Sequence, residues 1–480
     1  MVDERDVFDV IVIGAGPAGE VAAQRVVRGG LTAAVVEDRL AGGECGYYAC
    51  VPSKALLRPM ELAAEVARMP GLRLDGPIDA TAVLERRDKA VSHFDDGPSV
   101  RWVDDLPAEF VRGRGRLAGP RKVEVTGPDG AVRSLRARHA VIVATGSAPL
   151  VPGVPGLREA RPWTNREATA VQRVPRRLVV VGGGPVGCEM AQALHALGAH
   201  ETTLVVATDR LLPRAEPFAG ELLAASFAES GIDVRLGRRL AEVGPREPGG
   251  PVTVRTDDGA RLEADEILVA TGRRLAVDDL GLETVGLEPD GRPIDVDASM
   301  RATRVDGGWL YAVGDVNGRN LLTHMGKYQA RVCGDAVVAR AEGLPGDRPG
   351  PRDLADDRGA PQVVFTDPQV CQVGRTEAQA REGGAAVRVV EDDMGAVVGA
   401  RLRGEGCTGR AKLVVDDDRE VLLGATFVGP GAADLLHAAT IAVTAEVPLD
   451  LLRHAVPAFP TVSEIWLNLL EKDALEKDAR

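Results

Sequence analysis

The sequence predicts an α/β protein in which a doubly wound unit occurs twice and an α+β domain follows toward the C-terminal end. Three observations predict it. Near residues 8–40, and again near 178–210, a short apolar strand runs into a glycine-rich turn, a helical stretch and a second strand. The strands are continuous Val/Ile runs, as expected where a parallel sheet is covered on both faces. Past residue 353 the pattern changes to strand-like stretches at 363–366, 412–415 and 421–428, with helical stretches at 432–446 and 463–470. A length of 480 residues fits about three domains.

The bulk composition narrows the function classes. Hydrophobic residues make up 45% and charged residues 27%, while aromatics are only 3%, so the core is built from Ala, Val and Leu. A net charge of -13 argues against nucleic acid or an anionic membrane as partner. No apolar run approaches the roughly 18 residues a membrane helix needs. Residues 1–9 are highly charged and lead straight into a strand, which does not read as a signal peptide, so the cytoplasm is the expected compartment. Six cysteines (Cys45, Cys50, Cys188, Cys333, Cys371, Cys407) are too few for a disulfide scaffold in a chain this long. No metal site is expected.

The first glycine turn is Gly14-Ala15-Gly16-Pro17-Ala18-Gly19, after the strand Phe8-Asp9-Val10-Ile11-Val12-Ile13. The second is Gly182-Gly183-Gly184-Pro185-Val186-Gly187, after Leu178-Val179-Val180-Val181. Each follows a strand and opens a helix, the context in which such glycines let a backbone approach a pyrophosphate at the positive end of a helix. Both units are therefore read as Rossmann-like dinucleotide sites. A carboxylate about 20 residues on holds a ribose hydroxyl in such sites, and in the first unit it is Glu37. The equivalent position in the second unit falls at about Val206, with no acid before Asp209. Arg210 or Arg214 is then placed to receive a 2′-phosphate, which favours NADPH over NADH.

The most specific stretch is Gly42-Gly43-Glu44-Cys45-Gly46-Tyr47-Tyr48-Ala49-Cys50-Val51-Pro52-Ser53-Lys54. It sets two cysteines just before a helical run at 55–69 that opens with Pro52 and Ser53, a first-turn proline and a capping serine. Near a helix N-terminus the Cys50 thiol is biased toward thiolate, and two cysteines this close can cycle between disulfide and dithiol.

Together these features resemble the class I pyridine nucleotide–disulfide oxidoreductases, which include dihydrolipoamide dehydrogenase, glutathione reductase and mercuric reductase. The resemblance extends through Ala144-Thr145-Gly146, Ala270-Thr271-Gly272-Arg273, Tyr311-Ala312-Val313-Gly314-Asp315 and Val364-Phe365-Thr366-Asp367-Pro368. It implies an FAD-binding domain at 1–150 and 276–350, an NAD(P)H-binding domain at 151–275 and a C-terminal dimerisation domain at 353–480. The joints between them are Pro/Gly-rich, at 149–155 and 343–359. It further implies a homodimer with the active site at the subunit interface. Cys50 corresponds to the flavin-proximal, charge-transfer sulfur and Cys45 to the interchange sulfur facing substrate. Lys54 and Glu189 match the family's pair beside the flavin, and Asp315 the aspartate on the FAD ribityl chain.

The resemblance breaks at the C-terminal signature His-Pro-Thr-x-Ser-Glu, which here reads Phe459-Pro460-Thr461-Val462-Ser463-Glu464. In the family the histidine stabilises the interchange thiolate and protonates the leaving thiol; a phenyl ring does neither. His454 lies five residues earlier, and Glu464 also completes a helix capping box with Thr461. The 2-ketopropyl coenzyme M oxidoreductase/carboxylase is similar in having Phe at the His position, but it has His where this chain keeps Glu464. Tyr47 and Tyr48 are unusual between the cysteines and either line a substrate pocket or simply pack. Residues 471–480 hold no cysteine pair, which weakens a mercuric reductase role. The expected activity is reduction, or reductive C–S cleavage, of a sulfur-containing small molecule. The alternative is electron transfer from the flavin to a quinone or dye.

Overall fold

The computed structural model describes residues 4–246, 250–343 and 351–478. Part of the second joint, 344–350, lies outside the described residues, as do 479–480 at the end of the chain. Five helices position the chemistry: α1 (Pro17–Arg28), α2 (Cys50–Arg68), α3 (Pro185–Ala196), α4 (Thr323–Ala341) and α5 (Glu464–Asp478). The chain divides into two compact units. The first comprises Met1–Pro52, Asp88–Pro149 and Arg273–Asp357; the second comprises Ser53–Arg87, Leu150–Gly272 and Arg358–Arg480.

In the first unit Val7–Ile13 lies between Ala33–Glu37 and Val132–Val143, parallel to both. Ala108–Arg112 extends the sheet beside Ala33–Glu37, and Leu310–Ala312 pairs in parallel with the end of Val132–Val143. The Val/Ile run of the first strand divides by parity. Val10 and Val12 join a core with Ala22, Ala23 and Val26 of α1 and Ala330, Cys333 and Val337 of α4. Ile11 and Ile13 join the opposite core with Leu117, Val123 and Trp309. Alternate side chains of a strand point to opposite faces, so a run apolar at every position fits a sheet covered twice.

The second unit repeats this logic. Its parallel sheet runs Asp233–Leu236, Glu201–Val206, Arg177–Val181, Glu266–Val269. Val179 and Val181 pack on one face, Leu178 and Val180 on the other. The same unit holds a five-stranded antiparallel sheet of Gln362–Val364, Gln369–Gly374, Val421–Gly429, Arg410–Asp416 and Val387–Asp393. Helix Ala433–Thr444 and α5 contribute Leu435, Ala439, Ile465 and Leu469 to its core.

One helix differs from its sequence-based expectation. The run at 55–69 begins earlier, at Cys50, so Ser53 is a buried residue inside α2 and not its cap. Pro52 is still in the first turn, where a missing N–H costs nothing because first-turn amides have no intrahelical partner. Pro59 lies inside α2 and removes the donor that would have bonded the carbonyl of Ala55. That carbonyl accepts instead from Arg86 Nη1 at 3.1 Å. Arg86→Ala should therefore lower the thermal midpoint by leaving a part-buried carbonyl unpaired, at a cost of about 1 kcal/mol. Adding Pro59→Ala restores the helical donor and should recover part of that loss in a melting experiment.

Candidate active site

The two glycine turns are built alike. Gly14 has φ +105° and Gly182 φ +118°, and a Cβ on either would lie 2.4 Å from the carbonyl oxygen of Ala144 or Ala270. A Cβ on Gly19 would stand 1.9 Å from the Gly14 oxygen, and one on Gly187 2.0 Å from the Gly182 oxygen. Only glycine meets both demands, a left-handed backbone and close helix–strand approach. The middle glycines differ: Gly184 faces open space, and Gly16 has only the Gly43 Cα at 3.9 Å. Each turn opens a 12-residue helix whose N-terminus carries a proline and no side-chain cap. Unclaimed first-turn amides beside open space fit a pyrophosphate, once for FAD and once for NAD(P)H.

Strand register locates the ribose positions. Ile13 pairs with Val36 and Val181 with Val205, so Val206 occupies in the second unit the place of Glu37 in the first. The Glu37 carboxylate accepts from the N–H groups of Ala15 (2.9 Å) and Arg39 (2.8 Å), and burial raises its pKa. Val206 is buried. Arg210 donates from Nη2 to the Pro213 carbonyl at 3.1 Å, while its buried Nε has no hydrogen-bond partner among the described residues; Arg214 is exposed.

Around Asp315 the first unit gathers a polar chain that the motifs only partly announced. Ser147 Oγ donates to Asp315 Oδ2 at 2.5 Å, Arg273 Nε donates to Ser147 Oγ at 2.6 Å, and Arg273 Nη2 donates to Glu44 Oε2 at 2.5 Å. Burial raises the pKa of Asp315. Thr145 donates to the Ala276 carbonyl at 2.7 Å, and Gly146 takes φ +72° as the chain passes on to the short strand Ser147–Pro149. Gly272, at φ +150°, belongs to the second unit.

Cys45 sits in the short helix Gly43–Tyr47 and Cys50 begins α2. They are unbonded thiols, and their sulfurs are hydrogen-bonded to one another. Thr323, the first residue of α4, brings its Oγ1 to 3.2 Å from the Cys50 Sγ and also hydrogen-bonds Cys45. The hydrogen bond with Cys50, then burial, then the charge of Cys50 push the Cys45 thiol up, while Thr323 and Lys327 act the other way. Cys45 is thereby biased toward keeping its proton. Tyr47 is buried, with its ring against Gly42 and its hydroxyl donating to the Asp95 carbonyl at 3.4 Å, so it packs. Tyr48 stacks on Phe94 at 5.5 Å between ring centroids. Phe94 closes three consecutive residues at positive φ, Ser92, His93 and Phe94.

In the second unit Lys54, one turn along α2 from Cys50, donates to Glu189 Oε2 at 2.6 Å. Glu189 is 5% exposed, and its Oε1 accepts from the Phe365 N–H at 2.9 Å. The ammonium also lies 4.8 Å from the Phe365 ring centroid. One turn further, Gln192 exchanges two hydrogen bonds with the backbone of Asp367. The motif around Val364–Pro368 thus serves to seat the Glu189–Lys54 pair.

Against this geometry, the model of the family described as "Pyridine nucleotide-disulphide oxidoreductase" matches residues 8–343, and the model of its dimerisation domain matches 360–469. The chain belongs to the pyridine nucleotide–disulfide oxidoreductase family. It is 32% identical over 467 residues to a dihydrolipoyl dehydrogenase of Chlamydia muridarum, covering 96% of each chain. It is 34% identical over 480 residues to that of Thermus scotoductus, covering 98% of each. Among solved structures, LpdA from Mycobacterium tuberculosis is 26% identical with a TM-score of 0.81, over 96% of this chain and 99% of that one. The flavoprotein disulfide reductase RclA from Escherichia coli, solved as a Cu(II) complex, shares the fold at 24% identity and TM-score 0.81, over 97% of this chain and 99% of RclA. The protein is accordingly an oxidoreductase of an FAD-dependent, NAD(P)-using family.

The family's C-terminal signature lies in the second unit. Phe459 is 72% exposed and His454 is exposed. The capping box expected of Thr461 and Glu464 does not form: the Thr461 hydroxyl donates to the Ala458 carbonyl at 2.7 Å, and Glu464 Oε2 accepts from the Gly399 N–H at 3.2 Å. Among the described residues no group of three or more His, Cys, Asp or Glu is arranged to hold a metal, and no helix is long and apolar enough to cross a membrane. Sequence reasoning missed Ser147, Phe365, Thr323 and Lys327; of these only Phe365 lay inside a motif.

The two turns can be separated experimentally. Gly19→Ala forces a Cβ into the Gly14 carbonyl and should deplete flavin content on purification. Gly187→Ala should leave flavin absorbance intact while raising KM for the nicotinamide reductant.

Proposed function

We propose that this oxidoreductase passes electrons from NADPH, through bound FAD and the Cys45–Cys50 pair, to a sulfur-containing small molecule, by disulfide reduction or reductive C–S cleavage. The observation that carries the reading is the pair itself: two unbonded, part-buried thiols five residues apart, Cys45 in the short helix Gly43–Tyr47 and Cys50 at the start of α2, with the Cys45 thiol pushed up by its neighbour. The nicotinamide and flavin, when bound, supply two-electron transfer to the disulfide. Gly14, Gly16, Gly19, Glu37, Thr145, Gly146 and Asp315 would hold the FAD, and Gly182, Gly184, Gly187, Arg210 and Gly272 the NADPH. Lys54, seated by Glu189, provides a fixed cation one helical turn from Cys50. Cys45 is the sulfur that attacks substrate, and Cys50 closes the disulfide behind it.

The same reading takes the FAD domain as 1–150 and 276–350, the NADPH domain as 151–275 and the dimerisation domain as 353–480. It takes the protein as a homodimer in the cytoplasm, with Phe459 and Glu464 of each chain presented to its partner. With Phe459 in the histidine's place, no imidazole serves Cys45 from this signature. That one feature also favours the second reading, direct electron transfer from the flavin to a quinone or dye.

Anaerobic titration decides between them. Under the first reading the enzyme takes up NADPH beyond what its flavin alone accepts, and Cys45→Ser abolishes both the excess uptake and turnover of a sulfur substrate. Full activity in Cys45→Ser would move the assignment to direct transfer. Wild-type reduction of lipoamide or glutathione disulfide should be poor, and Phe459→His should raise it, by the order of 10²–10⁴ that a positioned acid–base group contributes.

A buried Val206 where Glu37 has its carboxylate, with Arg210 and Arg214 following, should give NADPH at least parity with NADH in kcat/KM for flavin reduction. A preference for NADH of about tenfold, or 1.4 kcal/mol, would overturn that assignment.

A further inference from the structure

Resting on the assignment of Asp315 to the FAD, we infer that Gln329 is a positioning residue of the flavin site: its side-chain amide, held by a buried carboxylate hub at Asp353 and Asp356, sets the turn that presents Asp315. All of these residues lie in the first unit. The strand Leu310–Ala312 runs out where the Val313 N–H bonds the Val143 carbonyl. The next amide, that of Gly314, turns away from the ladder. At φ +76° and ψ −158°, Gly314 adopts a backbone that glycine alone takes readily. α4 passes so close that a Cβ on Gly326 would stand 3.3 Å from the Gly314 Cα. Gln329, fully buried in α4, supplies the acceptor the turn needs: its Oε1 accepts from the Gly314 N–H at 2.8 Å and from Asn317 Nδ2 at 2.9 Å. Asp315 is thus clamped from both sides in sequence, and Ser147 then holds its carboxylate at Oδ2.

The other end of the amide is fixed as firmly. Gln329 Nε2 donates to Asp356 Oδ1 at 3.1 Å and Oδ2 at 2.9 Å. A backbone N–H only donates and an ionised carboxylate only accepts, so the partners themselves determine which way the amide points. Asp356 also accepts from Asn320 Nδ2 at 2.8 Å and from Arg319 Nη1 at 3.4 Å, and the same Nη1 donates to Asp353 Oδ2 at 3.0 Å. Asp353 accepts at Oδ1 from the N–H groups of Ala355 and Asp356, and the hydroxyl of Tyr328, beside Gln329 in α4, accepts from the Leu354 N–H at 3.0 Å. Residues 353–356 are thereby strapped to α4 and hold the donor end of Gln329 in place. The position calls for an amide. A carboxylate there would meet Asp356 as a like charge, and a hydrocarbon would leave the Gly314 N–H, the Asn317 amide and Asp356 each short of a partner.

The test follows FAD release and does not require turnover. Holoenzyme is diluted, and the flavin passing an ultrafiltration membrane is timed by its absorbance. Gln329→Leu should speed release about tenfold, the scale of one lost buried hydrogen bond. Asp315→Asn should speed it as well. Because Gln329 acts through Asp315, the double variant should release FAD no faster than the faster single variant, whereas independent contributions would multiply. Gln329→Glu keeps the shape and the acceptor but sets a carboxyl against Asp356, which raises the pKa of the introduced group. As pH falls that group takes up a proton and regains a donor toward Asp356, so release should slow toward the wild-type rate. Wild-type release in Gln329→Leu, or multiplied rates in the double variant, overturns the inference. Should Gln329→Leu not fold, Gln329→Glu decides: a pH profile parallel to that of the wild type overturns it. Failure of the underlying assignment shows separately, as an Asp315→Asn variant that releases FAD at the wild-type rate.

Discussion

Two sulfurs in contact in a part-buried setting cannot both carry a negative charge, because the second would be raised directly against the first. Cys45 and Cys50 are held under this constraint, and much of the first unit can be understood as what holds them. Gly43, which begins the helix carrying Cys45, lies so near Gly16 that a Cβ on it would be 2.7 Å from the Gly16 Cα. The cysteine segment is thereby pressed onto the first glycine turn. From the other side, α4 arrives with Thr323 and is fixed along α1 by small-residue contacts and the Arg25–Asp335 pair. The placement of the two sulfurs is therefore set by backbone packing around them.

The two doubly wound units show how one backbone solution serves two ligands. Their glycine turns agree in φ, in close approaches and in strand-end hydrogen bonds: Gly14 N–H bonds the Val36 carbonyl and Gly182 N–H the Val205 carbonyl. These positions are dictated by backbone geometry, which tolerates no variation. The ribose position is not so dictated, since any side chain can end a strand. It is there that Glu37 and Val206 diverge, and there that a difference in cofactor phosphate can be read without disturbing the fold.

What the sequence disclosed follows from the same distinction. Gly14, Gly19, Gly182, Gly187 and the cysteine pair were legible because local backbone demands or chemistry restrict them to one residue type in a short window. Lys54 and Glu189 became legible through family resemblance, and Phe459 as its exception. Thr323 was not legible: a threonine opening a helix is ordinary, and its meaning comes from the Cys50 sulfur 273 residues away in the chain. Ser147 was hidden for the same reason. The start of α2 was misplaced because Pro52 and Ser53 mark a helix opening so well, whereas a first turn accepts proline at any of its positions. The capping reading of Thr461 and Glu464 failed because α5 begins at Glu464 itself, and the Glu464 carboxylate that a capping box would turn back to the Thr461 N–H accepts from Gly399 instead.

On the proposed reading, in which Cys45 attacks substrate with no imidazole beside it, some substrates are favoured over others. Thiol–disulfide exchange is faster the less basic the departing sulfur, and an acid beside it matters most when the leaving thiolate is strongly basic. Lipoamide and glutathione leave as basic thiolates, the case in which an imidazole helps most. On the proposed reading a site without one suits leaving sulfurs stable as anions, or cleavages in which a nearby acid would quench a useful carbanion. On that reading the substitution at Phe459 acts as a selection among substrates, not as a loss of redox function.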